Sequence, residues 1–102
     1  MLTVDEIRSA AQELGAQYGV EHIYLFGSYA RGGATAESDV DLCVEAARLR
    51  GLFALSGLRM DLEEALDKDL DLITVGSLRY NRDELFLERL RKERVLIYEI
   101  AG

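Results

Sequence analysis

An apolar run, Ile23-Tyr24-Leu25-Phe26, stops at Gly27-Ser28, and after ten further residues an alternating run, Asp39-Val40-Asp41-Leu42-Cys43-Val44, begins. These two runs constrain the chain more than anything else in it. The first is continuous and rich in β-branched and aromatic residues. It predicts a strand from Glu21 to Phe26 with both faces covered. The second has a period of two. It predicts a strand with Asp39 and Asp41 on one face, their Cα atoms roughly 6–7 Å apart. Between them, Gly27 ends the first strand, Ser28 to Arg31 reads as a turn or two of helix, Gly32-Gly33 breaks it, and Thr35 to Glu37 is loop.

The flanking patterns complete a small α/β (α+β) fold. Thr3 and Glu6 form a capping box ahead of Val4, Ile7, Ala11, Leu14 and Tyr18, which recur at helical spacing. Gly15 and Gly19 weaken the end of that helix, and Gly19 stops it. Leu52, Leu55, Leu58, Leu62 and Leu66 form a second helical stripe. Asp69 to Val75 reads as a third strand and Val95 to Glu99 as a fourth. Asn81 is the expected cap of a last helix, with Asp83 and Glu84 in its first turn and Arg91 and Lys92 in its last, in the sense the helix dipole favours. The order predicts a mixed sheet of about four strands flanked by helices, in a single domain spanning 1–102.

Composition narrows the function classes. No run of 18 apolar residues is present, so no membrane span is expected, and the N-terminus lacks the basic start and apolar core of a secretion signal. One cysteine, Cys43, excludes an internal disulfide and fits a reducing cytoplasm. A net charge of −7 disfavours direct nucleic-acid binding and favours metal ions or a basic protein partner.

The chemistry lies in the Gly-Ser turn and the aspartates. Backbone N–H groups at such a turn suit an anion. Two carboxylates one residue apart suit a hard cation such as Mg²⁺. Ionised and ~6 Å apart, they would repel by about 3 kcal/mol at an effective dielectric of ~20, a cost that a bound cation removes. Asp71, in Leu70-Asp71-Leu72, has the same apolar flanks as Asp41 in Val40-Asp41-Leu42. If those strands are neighbours, three aspartates converge, the minimal set for two-metal phosphoryl or nucleotidyl transfer. D-x-D alone is common on solvated strand faces. The ordered conjunction of strand, Gly-Ser, D-x-D and a later strand aspartate has few accidental matches.

Other candidates carry plainer readings. Arg31 either meets a phosphate or braces the loop through Asp39 or Glu37. Tyr29 either stacks on a base or is buried against the sheet, burial being favoured. Ser38 reads as a turn residue, His22 as a surface residue, and Cys43 as a small buried filler. The acidic stretch from Asp61 to Asp71 reads as a solvated helix face apart from Asp71. Arg89, Arg91, Lys92 and Arg94 read as a basic helix end, not a binding patch.

GSYARG, SDVDL and the later LDLIT make the chain resemble the minimal nucleotidyltransferases of the DNA polymerase β-like superfamily. Gly27, Ser28, Asp39 and Asp41 meet the pattern G-S-x₁₀-D-x-D residue for residue, and the likeness covers nearly the whole chain. The resemblance implies that Gly27 and Ser28 contact the β- and γ-phosphates of ATP. It implies that Asp39 and Asp41 bind two Mg²⁺ ions, and that Asp71 binds the catalytic ion and helps deprotonate the acceptor. Short members of the family are usually antitoxins of HEPN-domain ribonuclease toxins and transfer AMP to a toxin tyrosine. The same expectation follows for this chain, which has no residues left for an acceptor domain. Two other readings stand beside it: an antitoxin that neutralises by binding alone, which would not need the three aspartates, and a small-molecule nucleotidyltransferase, which the missing acceptor domain opposes.

Overall fold

The computed structural model describes residues 2–47 and 51–100, and at 51 and 52 the backbone alone. Helix α1 (Val4–Tyr18) leads into β1 (His22–Phe26), the short α2 (Gly27–Arg31), β2 (Val40–Glu45), α3 (Gly51–Leu66) and β3 (Leu70–Thr74). A 3-10 helix (Gly76–Tyr80), α4 (Glu84–Glu93) and β4 (Val95–Glu99) follow. The sheet order is β3-β2-β1-β4. The β1–β2 and β1–β4 pairs are antiparallel and β2–β3 is parallel. The sheet is therefore mixed, as its element order predicts, and α3 makes the crossover that a parallel pair requires.

Local chemistry sets the helix ends. The Thr3 hydroxyl accepts from the Glu6 N–H at 3.1 Å, and Gly19 closes α1 in the left-handed region. The last helix is capped differently from the expectation. Asp83, not Asn81, accepts from the Phe86 N–H at 3.1 Å. Asn81 ends the 3-10 helix and accepts from the Asp83 N–H at 2.8 Å. Both are capping residue types; packing decides between them, because Phe86 and Leu90 must face the sheet. The 3-10 helix has no apolar period to announce it. It is set by Ser77, whose N–H and hydroxyl both bond back to Thr74.

Alternation divides the core in two. Ile23, Leu25, Val40, Leu42, Val44 and Leu70 pack on one sheet face against Ile7 and Ala11 of α1 and Leu58, Leu62 and Leu66 of α3. Leu55 is half-buried, and the side chain of Leu52 lies outside the described residues. The opposite face buries Phe26 and Cys43 beneath Leu90 of α4, with Phe86 edge-on to Phe26 at 6.2 Å. Asp41 alternates with Val40 and Leu42 and so shares this second face with Cys43.

Some side chains depart from the sequence reading. Gly15 is not a weak point: a Cβ there would meet the Tyr98 ring at 2.7 Å, so the glycine lets β4 approach α1. Asp61 is not merely solvated; it accepts from the Tyr18 hydroxyl at 2.5 Å and ties α1 to α3. Glu63 likewise accepts from the Leu70 N–H at 3.0 Å. His22 is not a free surface residue, since its Nδ1 lies 2.5 Å from Glu45 and its Nε2 3.6 Å from Glu99.

Candidate active site

Gly27 joins β1 to α2 with φ +74°, a left-handed conformation that side chains resist. The space is closed as well. A Cβ at this position would lie 2.1 Å from Asp41 Oδ2. Glycine is thus required twice, once by the turn and once by the carboxylate beside it. Phe26, at the N-cap position, offers no side-chain acceptor to the first N–H groups of α2. Those donors are left for an anion.

The strand register brings the carboxylates together. Asp41 of β2 lies directly opposite Asp71 of β3, and opposite Phe26 of β1 on its other side. Neighbouring strands are about 4.8 Å apart, so the two aspartates start from adjacent backbone positions. Asp39 stands one residue before β2, exposed. Asp41 is half-buried. Burial first, then the Asp71 and Asp39 carboxylates, hold its carboxyl above the usual range, with Arg31 pulling the other way. Among the described residues, no hydrogen bond or ion pair engages the side chains of Asp39, Asp41 or Asp71.

Such a set asks for positive charge. Three aspartates in mutual repulsion are the donor chemistry of a hard divalent cation, and Mg²⁺ suits them by charge and ligand type. Their side chains are not preassembled: among the described residues no three carboxylate, imidazole or thiol groups close into a metal cage. The backbone register brings Asp41 and Asp71 together; Asp39 lies on the adjoining approach to β2.

The remaining candidates resolve individually. Arg31 is braced, but by Glu93 of α4 at 3.0 Å, not by Asp39 or Glu37. Its guanidinium is still felt at Asp41. Glu93 escaped the sequence reading, although it follows Phe86 by seven residues and Leu90 by three, the spacing of the inward helix face. Tyr29 is buried in the core with its hydroxyl unpartnered among the described residues, so it stacks on no base. Ser38 is a turn residue, its hydroxyl accepting from the Thr35 N–H at 2.8 Å. Cys43 is buried, and burial pushes its thiol up to about 11, against a pull from Arg94; it is inert filler.

Comparison with known proteins identifies the family and the fold. The profile of the nucleotidyltransferase domain matches residues 4–99. Protein adenylyltransferase MntA of Thermococcus cleftensis is 39% identical over 83 residues, covering 78% of this chain and 84% of that protein. A chain in the crystal structure of a toxin–antitoxin with AMP-PNP superposes with a TM-score of 0.71 at 27% identity, over 91% of this chain and 73% of that one. A chain in the solved complex of tri-AMPylated Shewanella oneidensis HEPN toxin with MNT antitoxin shares the fold. Its TM-score is 0.66 at 23% identity, over 94% of this chain and 72% of that one.

Proposed function

Because the chain belongs to the nucleotidyltransferase domain family, we propose that it is a Mg²⁺-dependent protein adenylyltransferase. It transfers AMP from ATP to a tyrosine of a HEPN-domain ribonuclease toxin in the cytoplasm, and so acts as that toxin's antitoxin. The observation that carries this reading is the parallel register of Asp41 with Asp71, beside a glycine whose missing Cβ leaves room for the Asp41 carboxylate. The name of the Thermococcus relative supports protein as the acceptor. The toxin–antitoxin structure with AMP-PNP supports the nucleotide and the class of partner.

In this reading Gly27 and Ser28 hold the β- and γ-phosphates through backbone N–H groups, and Arg31 adds positive charge on the Asp41 side. Asp39, Asp41 and Asp71 are the residues that would hold Mg²⁺. When bound, the cation supplies neutralisation of the triphosphate and a lowered pKa for the acceptor hydroxyl. Asp71 receives the phenolic proton. The tyrosine oxygen bonds to the α-phosphorus as the bond to the α,β-bridging oxygen breaks, and pyrophosphate departs with that electron pair.

Intact-mass spectrometry of the co-expressed HEPN protein with ATP and Mg²⁺ tests the proposal. The wild-type chain should add one or more AMP units, and the Asp39→Asn/Asp41→Asn double variant none. A stable complex without added mass in either case would overturn transfer and leave a protein that works by binding.

A further inference from the structure

Residues 79–94 carry half of the basic side chains of this acidic protein: Arg79, Arg82, Arg89, Arg91, Lys92 and Arg94. Two of them are used internally. Lys92 pairs with Glu88 at 3.0 Å, and Arg94 lies over the Tyr24 ring at 4.5 Å. The other four are exposed and, among the described residues, engage no hydrogen bond or ion pair. Nearby acidic groups are mostly committed, Asp83 to the α4 cap and Glu93 to Arg31. Glu84 stays free. The segment thus presents unpaired arginines on a chain of net charge −7, and it is no ordinary helix end.

The same segment exposes two large apolar side chains, Tyr80 at 79% and Leu85 at 76%. Arg89 follows Leu85 by one helical turn, so the two share a face. Leu87 lies in a cleft of about 620 Å³ on the other flank, between Arg82 and Arg91. Exposed tyrosine, leucine and arginine within ten residues of one another in sequence are the materials of an interface centre. Placement points the same way. Helix α4 packs on Phe26, which precedes Gly27, and on Cys43, two residues along the same strand face from Asp41, and so lies on the sheet face that carries Asp41. A macromolecule lying across α4 lies beside the site.

We propose that the outer surface of α4 and the preceding 3-10 helix, centred on Tyr80, Leu85 and Arg89, docks an acidic, apolar-centred surface of the acceptor protein. This rests on the protein-transfer reading above. The arginines face the acceptor's carboxylates, and Leu85 and Tyr80 fill its apolar centre. Nucleic acid is disfavoured as the occupant, because Leu85 has no phosphate to meet and the rest of the chain repels a polyanion.

The test uses the full chain with its co-expressed HEPN protein. Arg82→Glu/Arg89→Glu reverses charge, and Leu85→Ser removes the apolar contact. All three positions are exposed, so the fold should stand. In each variant the KM for the acceptor should rise at least tenfold, with kcat at saturating acceptor within about twofold of wild type. Affinity for AMP-PNP should be unchanged. Rising salt should weaken the wild-type complex and leave the charge-reversed one little changed. Unchanged acceptor KM overturns the proposal. So does a wild-type dimer of this chain that the variants dissociate without effect on the acceptor, or loss of binding to a short single-stranded RNA with acceptor KM intact. Should the wild type transfer no AMP, isothermal titration of the same complexes still decides. Tenfold weaker binding in the variants then supports the docking surface while the transfer reading fails, and equal binding overturns both.

Discussion

Gly27 and Gly32 both hold positive φ, at +74° and +80°, yet their surroundings differ. A Cβ at Gly32 meets open space, whereas one at Gly27 collides with the Asp41 carboxylate. Gly32→Ala should therefore cost only the conformational preference, about 1 kcal/mol, with transfer retained. Gly27→Ala should cost more and abolish nucleotide binding, because Asp41 must move. Thermal melts and AMP-PNP titration of the two variants separate these effects. Asp41 gives a second case. Its carboxyl is held above the usual range, so the native state keeps its proton more tightly than the unfolded chain does. The associated stability is present below the unfolded value of 3.8 and is lost as pH rises through the folded one. Asp41→Asn removes that loss. Melting curves should show the variant gaining on wild type as pH rises from about 4 to 7, as the cost of a half-buried charge, and then of its repulsion by Asp71 and Asp39, is removed. A gap that shrinks with pH would contradict this. Tyr29 is simpler: its buried hydroxyl has no partner, so Tyr29→Phe should be neutral or raise stability by up to about 1 kcal/mol, read from denaturant midpoints.

At the level of elements, strands were read more securely than caps. Val40 to Val44 alternates so regularly that the face carrying Asp41 can be read from it, while its register against β3 comes from the structure, and VLIYE is β4 with the bounds read for it. β1, β2 and β3 each begin one residue later than read, which leaves Asp39 just outside β2, and β3 ends at Thr74, one residue short of Val75; Glu21 and Asp69 still bond to the ladder through Glu45 and Val40. The 3-10 helix stayed hidden, because Ser77 makes it by local bonds that leave no periodic trace. The α4 cap was misplaced by two residues, since Asn81 and Asp83 are chemically equivalent candidates and only the inward facing of Phe86 and Leu90 chooses. Asp83→Ala should cost about 1 kcal/mol and Asn81→Ala less, in paired denaturation curves. Equal costs would mean that the two caps share the load. Of the candidate site, spacing singles out Gly27, Ser28, Asp39, Asp41 and Asp71, and the structure sets Gly27 and Asp71 beside Asp41. The Arg31 partner was not legible, because Glu93 is distant in sequence and nothing local marks the pair.

The whole molecule is a four-stranded sheet with unequal coverings: a large apolar layer under α1 and α3, and a smaller one under α4. Stability concentrates in the first. Leu62 is fully buried there, and Leu62→Ala should cost about 2–5 kcal/mol, a large part of what a domain of this size has in total. Leu85→Ser, on the outside of α4, should change the denaturation midpoint by less than about 0.5 kcal/mol. The layers therefore divide labour, one holding the fold and the other flanking the chemistry.

The parallel pairing of β2 with β3 has a consequence in time. Asp41 and Asp71 meet only after α3 has crossed from one strand to the other, a long-range closure that folds late compared with a hairpin. During synthesis, a chain that has released β1, α2 and β2 already displays the Gly-Ser turn and D-x-D, but has no carboxylate opposite Asp41. The Asp41–Asp71 pair therefore arrives in one step with the crossover, and a chain cut between β2 and β3 that loses this pairing loses the candidate site as a unit.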